Sequence, residues 1–156
     1  MSKNISESVE TAGLTKLGNS GHINFDSPSL SILEAFPNQY PQRDYVIEFD
    51  YPEFTSLCPK TGQPDFGTII VRYVPNLCCV ESKSFKLYMG SYRNQGAFME
   101  RLTNQIADDL IALLAPRRMT VEGLFNARGG TGIKVRVEHF DNTLATDELE
   151  RLKSLW

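Results

Sequence analysis

Apolar side chains recur at three- and four-residue steps in one stretch: Phe98, Leu102, Ile106, Leu110, Leu113 and Leu114. That spacing lines one side of an α-helix, with Glu100, Arg101, Asp108 and Asp109 off it. Pro116 sets its end. Residues 133–138 (IKVRVE) instead alternate strictly, apolar then charged. This predicts a strand whose sheet packs helices on one face and meets water on the other. Residues 119–125 and 45–49 also alternate, and residues 68–74 form a β-branched run. Residues 77–80 read as a short extended stretch, and residues 83–93 as the opening of a helical half. Residues 128–132 (RGGTG) read as a flexible turn. Residues 145–156 read as a short amphipathic helix with Leu149, Leu152 and Trp156 free to dock. Residues 51–67 carry prolines at 52, 59 and 64 and read as a loop. A helical turn is expected over residues 31–36, and flexibility over residues 1–14. Strands fall in pairs around helices, which favours an α+β fold with an antiparallel sheet.

The length of 156 residues suits one domain spanning the whole chain. A net charge of −3 argues against bulk nucleic-acid binding. No apolar run approaches the ~18 residues of a membrane helix, and residues 1–7 lack the apolar core of a secretory signal. The three cysteines, Cys58, Cys78 and Cys79, are an odd count, so reduced thiols in a cytoplasmic protein are expected. Cys78 and Cys79 lie in a strand-like run and are expected to pack. His22 and His139 are far apart, and no Cys/His spacing suits zinc, so no metal is expected.

Cys58 is different, because it sits in a loop between Leu57 and Pro59. A thiolate there could attack an electrophilic carbon, and Asp65, seven residues on, could carry the proton. The spacing alone favours plain packing for Cys58, and a turn-forming role explains Asp65 equally well. Glu81 and Glu100 are each either a solvated acid or a reader of a guanine-like N–H edge. Lys83, Lys86 and Arg128 suit a phosphate or a plain basic rim, and Gly129-Gly130 would let backbone approach a ligand. No Gly-x-Gly-x-x-Gly or Walker A loop supports Rossmann-type nucleotide binding.

Four blocks taken together carry a specific resemblance: Pro41-x-Arg43-Asp44-Tyr45, residues 54–66, Val80-Glu81-Ser82-Lys83-Ser84-Phe85-Lys86-Leu87-Tyr88, and Phe125-x-x-Arg128-Gly129-Gly130. They resemble the short, single-domain 7-cyano-7-deazaguanine reductases of queuosine biosynthesis, over about residues 17–130. The resemblance implies the tunnelling fold, an antiparallel sheet with two long helices on one face. It implies homo-oligomeric rings, with two stacked pentamers as one form, and active sites at subunit interfaces. It further implies that Cys58 forms a thioimide with the nitrile and that Asp65 donates the proton. Val80, Glu81, Ser82, Met99 and Glu100 would line the deazaguanine pocket. Ser82, Lys83, Lys86, Arg128 and Gly129 would meet NADPH. The partner would be a small molecule, with no membrane and no nucleic acid.

One position departs from that pattern. The family usually has Phe-His-Glu where this chain has Phe98-Met99-Glu100, and methionine carries no proton to exchange. A second reading therefore keeps the thioimide but attacks it with ammonia or water, on a deazaguanine already in nucleic acid. A third is a binding module without catalysis, against which the Cys58–Asp65 pair weighs.

Overall fold

The computed structural model describes residues 12–15 and 27–156. The expectation for residues 1–14 falls mostly outside that range, as does His22. Among the described residues the strands are β1 (Ala35–Pro37), β2 (Ile47–Leu57), β3 (Pro64–Val74), β4 (Cys78–Val80), β5 (Arg118–Arg128) and β6 (Thr131–Phe140). The helices are α1 (Ser82–Gly90), α2 (Met99–Leu114) and α3 (Thr146–Lys153). The main sheet is antiparallel in the order β2-β3-β5-β6, and β1 pairs with β4 as a separate ribbon.

α2 forms where the apolar spacing puts it. Leu102, Ile106, Ala107, Leu110 and Leu114 are buried, and the helix closes on Ala115 in the left-handed conformation, just before Pro116. Phe98 is a correction: it is the N-cap rather than a core residue, and is 62% exposed. Asp109 is half-buried and lies off the buried face, as expected. Its carboxylate accepts a hydrogen bond from the Tyr88 hydroxyl at 2.5 Å, and Tyr88 also meets the Tyr92 hydroxyl at 2.7 Å. That buried chain ties α1, and the 3-10 turn that continues it to Asn94, onto α2.

Alternation settles the faces of the sheet. Ile69, Val71 and Tyr73 of β3 and Met119, Val121 and Phe125 of β5 join α1 and α2 in one core. The opposite face is charged, with Arg72 paired to Glu48 and, at 2.8 Å, to Glu122. At one end of that face Arg118 points away from the core and is buried under the C-terminal segment. It donates to the Leu152 carbonyl at 2.7 Å and stacks on the Trp156 ring at 3.8 Å. The amphipathic tail thus docks through Leu152, which is fully buried, and Trp156.

The loop expected over residues 51–67 is mostly strand: β2 runs to Leu57 and β3 starts at Pro64. Pro52 sits in a register shift between Tyr51 and Phe54 on an edge strand, where a missing N–H breaks no interior ladder. The turn expected over residues 31–36 shrinks to a 3-10 turn at Leu30–Ile32, because Ala35–Pro37 pairs with β4. Cys78 and Cys79 pack as expected. Successive strand residues face opposite ways: Cys78 Sγ lies 3.8 Å from the Leu113 and Leu114 carbonyls, and Cys79 Sγ lies 3.7 Å from the Tyr45 hydroxyl.

Candidate active site

The β2–β3 connection is a six-residue loop, residues 58–63. The Cys58 amide donates to the Gln63 carbonyl at 2.8 Å, and the Gly62 amide donates back to the Cys58 carbonyl at 2.9 Å. Gly62 takes φ +69°, a left-handed turn that a side chain would resist. This closure puts Cys58 at the mouth of the hairpin and Asp65 two residues into its return.

The segment entering α2 is sewn to the same hairpin. Leu57 N–H donates to the Gln95 carbonyl at 2.9 Å, and Ala97 N–H donates to the Leu57 carbonyl at 3.3 Å. Met99 and Glu100, in the first turn of α2, therefore arrive beside Cys58. From the other side comes the β5–β6 hairpin. Arg128 Nη1 donates to Asp65 Oδ1 at 2.7 Å, and its Nη2 donates to Gln63 Oε1 at 2.7 Å. A cavity of about 350 Å³ results, lined by Cys58, Asp65, Phe98, Met99, Glu100 and Arg128 among others. Five of the residues expected from sequence thus meet in one place.

The three cysteines divide electrostatically. Burial pushes the Cys78 and Cys79 thiols up. Cys58 is drawn down to about 7, chiefly by a hydrogen bond from the Thr61 side chain, then by the Thr61 and Lys60 amides. A smaller part comes from Arg128. The thiolate is therefore well populated at neutral pH. Asp65 is 5% exposed, its carboxylate held by the guanidinium of Arg128.

The remaining expected residues stand elsewhere in the single chain. Val80, Glu81, Ser82 and Lys83 cluster where β4 turns into α1. Glu81 is the N-cap of α1: its two oxygens accept from the Lys83 amide at 2.8 Å and the Ser84 amide at 2.7 Å. Lys86 borders a second cavity of about 300 Å³, with Tyr51, Glu53 and Arg93. Gly129 forms the β5–β6 turn with Gly130, at φ +57° and +83°, and open space surrounds both. Sequence reasoning missed Thr61 and Gln63, whose loop position beside Cys58 was the available signal. It also missed Asn126, and it assigned Phe98 to a core helix face.

Comparison with known proteins gives the family of the chain. The family model described as QueF-like protein matches residues 64–143, about half of the chain. A protein of Desulfovibrio desulfuricans named NADPH-dependent 7-cyano-7-deazaguanine reductase is 57% identical over 78% of this chain and 72% of its own length. One of the same name from Bacillus licheniformis is 52% identical over 80% of this chain and 75% of its own. The crystal structure of the archaeosine synthase QueF-Like in the apo form superposes with a TM-score of 0.57 at 20% identity. It covers 64% of this chain and 96% of that one, and at that identity the likeness carries the tunnelling fold alone. On the strength of the profile match and these relatives, the chain belongs to the QueF-like protein family.

Proposed function

We propose that this protein reduces the nitrile of 7-cyano-7-deazaguanine to the primary amine, consuming two NADPH, through a thioimide on Cys58. The observation that carries this reading is the cavity that joins a low-pKa, accessible Cys58 thiol to the Asp65 carboxylate. Relatives at 50–57% identity bear the name of that reductase. A nitrile is a poor hydride acceptor, and covalent addition divides the reduction into easier steps. Sulfur bonds to the nitrile carbon, a π pair moves to nitrogen, and the proton released by the Cys58 thiol passes through the Asp65 carboxylate to that nitrogen. Glu100 accepts from the ring N–H and exocyclic amine. Val80, Glu81, Ser82 and Met99 line the remainder of the base pocket, and the exposed Phe98 ring offers it a flat face.

NADPH, when bound, supplies hydride to the carbon that sulfur has activated. Ser82, Lys83, Lys86, Arg128 and Gly129 would hold it. Their cations match its phosphates, and the unobstructed Gly129-Gly130 turn leaves backbone open to approach. Because α1 does not border the Cys58 cavity within one chain, a second copy is needed to complete the site. We infer a homo-oligomeric ring of single-domain subunits, with two stacked pentamers as its expected form, acting in the cytoplasm, where a free nucleophilic thiol persists. The ammonia- or water-using reading has only Met99 in its favour, and the reductase name of the close relatives outweighs it.

Mass spectrometry of the protein mixed with the nitrile base tests the proposal. An adduct of the base's mass is expected on wild type and not on Cys58→Ala. NADPH should clear it and release the amine, with matching loss of NADPH absorbance. An adduct that persists in NADPH overturns the reductase reading.

A further inference from the structure

We propose that Ser56 is a positioning residue for Asp65: its hydroxyl accepts the hydrogen bond of the Asp65 acid while that side chain carries the transferred proton. The proposal deepens the reductase reading and rests on it. The first ground is the β2–β3 ladder. Ser56 and Asp65 are direct cross-strand partners, so their side chains stand on one face with Cβ atoms about 4.5–5.5 Å apart. Cys58 continues that ladder through its amide bond to the Gln63 carbonyl, and by alternation it falls on the same face. Asp65 lines the cavity with Cys58, whereas Ser56 is fully buried behind it.

The second ground is an orphan. Ser56 Oγ is buried and meets no hydrogen-bond partner among the described residues. Native folds seldom leave a buried hydroxyl unpaired, because an alanine would avoid the cost. Its cross-strand partner Asp65 is buried too, and Asp65 Oδ1 accepts from Arg128 Nη1 at 2.7 Å. A guanidinium only donates, so that pairing suits the carboxylate and has nothing to offer an acid O–H. A hydroxyl also accepts. Ser56 is thus a buried acceptor for Asp65 once the proton from the thiol arrives, reached by a turn about its χ1. It takes no proton itself. It holds the acid steady until the proton passes on to the nitrile nitrogen.

Thioimide formation with the nitrile base, without NADPH, followed by mass spectrometry on the intact protein, tests this. S56A should form the adduct about tenfold more slowly at saturating nitrile, with the half-saturating concentration unchanged. Its melting midpoint should match or exceed that of wild type, since the orphan is gone. Iodoacetamide should alkylate Cys58 at the wild-type rate, which separates the effect from a displaced loop. In D65N, whose side chain cannot carry the proton, adding S56A should slow the adduct no further. An S56A rate equal to wild type overturns the proposal. So does an equal loss in the D65N background, or a matching loss in alkylation, because Ser56 would then act on something other than Asp65. Absence of any adduct on wild type would instead overturn the reductase reading itself, and this proposal with it.

Discussion

Position 99 is where one side chain changes the chemistry available to the pocket. Met99 borders the cavity between Phe98 and Glu100 but has no exchangeable proton. Met99→His would place a group titrating near ~6.5 at that rim. If proton transfer limits the reduction, kcat should rise about tenfold or more, since general acid–base groups contribute on that scale or above. A new ionisation should appear in its pH profile. An unchanged kcat and profile would show that Asp65 suffices. Cys58 and Asp65 were visible from their loop context, but spacing left both with ordinary explanations. What the sequence hid was their environment. Arg128 donates to the Asp65 carboxylate across a separation of 63 residues, a contact that only the folded hairpins create.

At the scale of elements, two tight spots carry measurable stability. A Cβ on Gly67 would come within 2.7 Å of the Leu124 carbonyl oxygen and 3.0 Å of the Phe125 Cα, where β3 meets β5. Gly67→Ala should therefore destabilise by about 1–3 kcal/mol, read as a lower urea midpoint. Glu81→Ala removes the cap of α1 and should cost about 1 kcal/mol even without ligand. No loss of stability would free Glu81 for the base alone. α2 and β6 were legible because their burial follows a single period, as in Leu102-Ile106-Leu110 and Ile133-Val135-Val137. The 51–67 hairpin was not, because proline is a breaker only where its N–H is needed. Pro52 lies on an edge at a register shift and Pro64 opens its strand, and neither position demands one. Glu81 was readable as an acid but not as a cap, a place more often held by Ser, Thr, Asp or Asn.

Across the whole molecule, the C-terminal helix is fastened to the chain's first half through Asp44. Arg117 reaches Asp44 at 2.7 Å and Glu148 at 3.2 Å, and Arg151 closes on Asp44 from α3. Burial works to raise Asp44, but the hydrogen bonds from Arg151 and Arg117 outweigh it and hold its carboxyl below the ordinary 3.8. A depressed folded pKa means this stabilisation is present above about 3.8 and drains as pH falls through the lower folded value. Asp44→Asn should thus be less stable at neutral pH and show a shallower acid-unfolding curve than wild type by circular dichroism. The amphipathic tail was legible in the sequence, whereas its anchor was not, since the partners of Arg117 and Arg118 lie far along the chain and only folding brings them together.

Ultraviolet absorbance reports on the Tyr88–Tyr92–Asp109 chain in its own way. Burial holds Tyr73, Tyr88 and Tyr92 protonated well above the ordinary tyrosine value of 10.0. Their contribution to stability is full below that pH and is lost as alkali titrates the unfolded chain. These phenols should turn to phenolate, with its red-shifted band, only as the protein opens. A spectrophotometric titration with base would then show a late absorbance step that coincides with the loss of helical ellipticity. In Tyr88→Phe that step should be smaller and come earlier, which makes a colour change in strong base a gauge of how firmly the first two helices are joined.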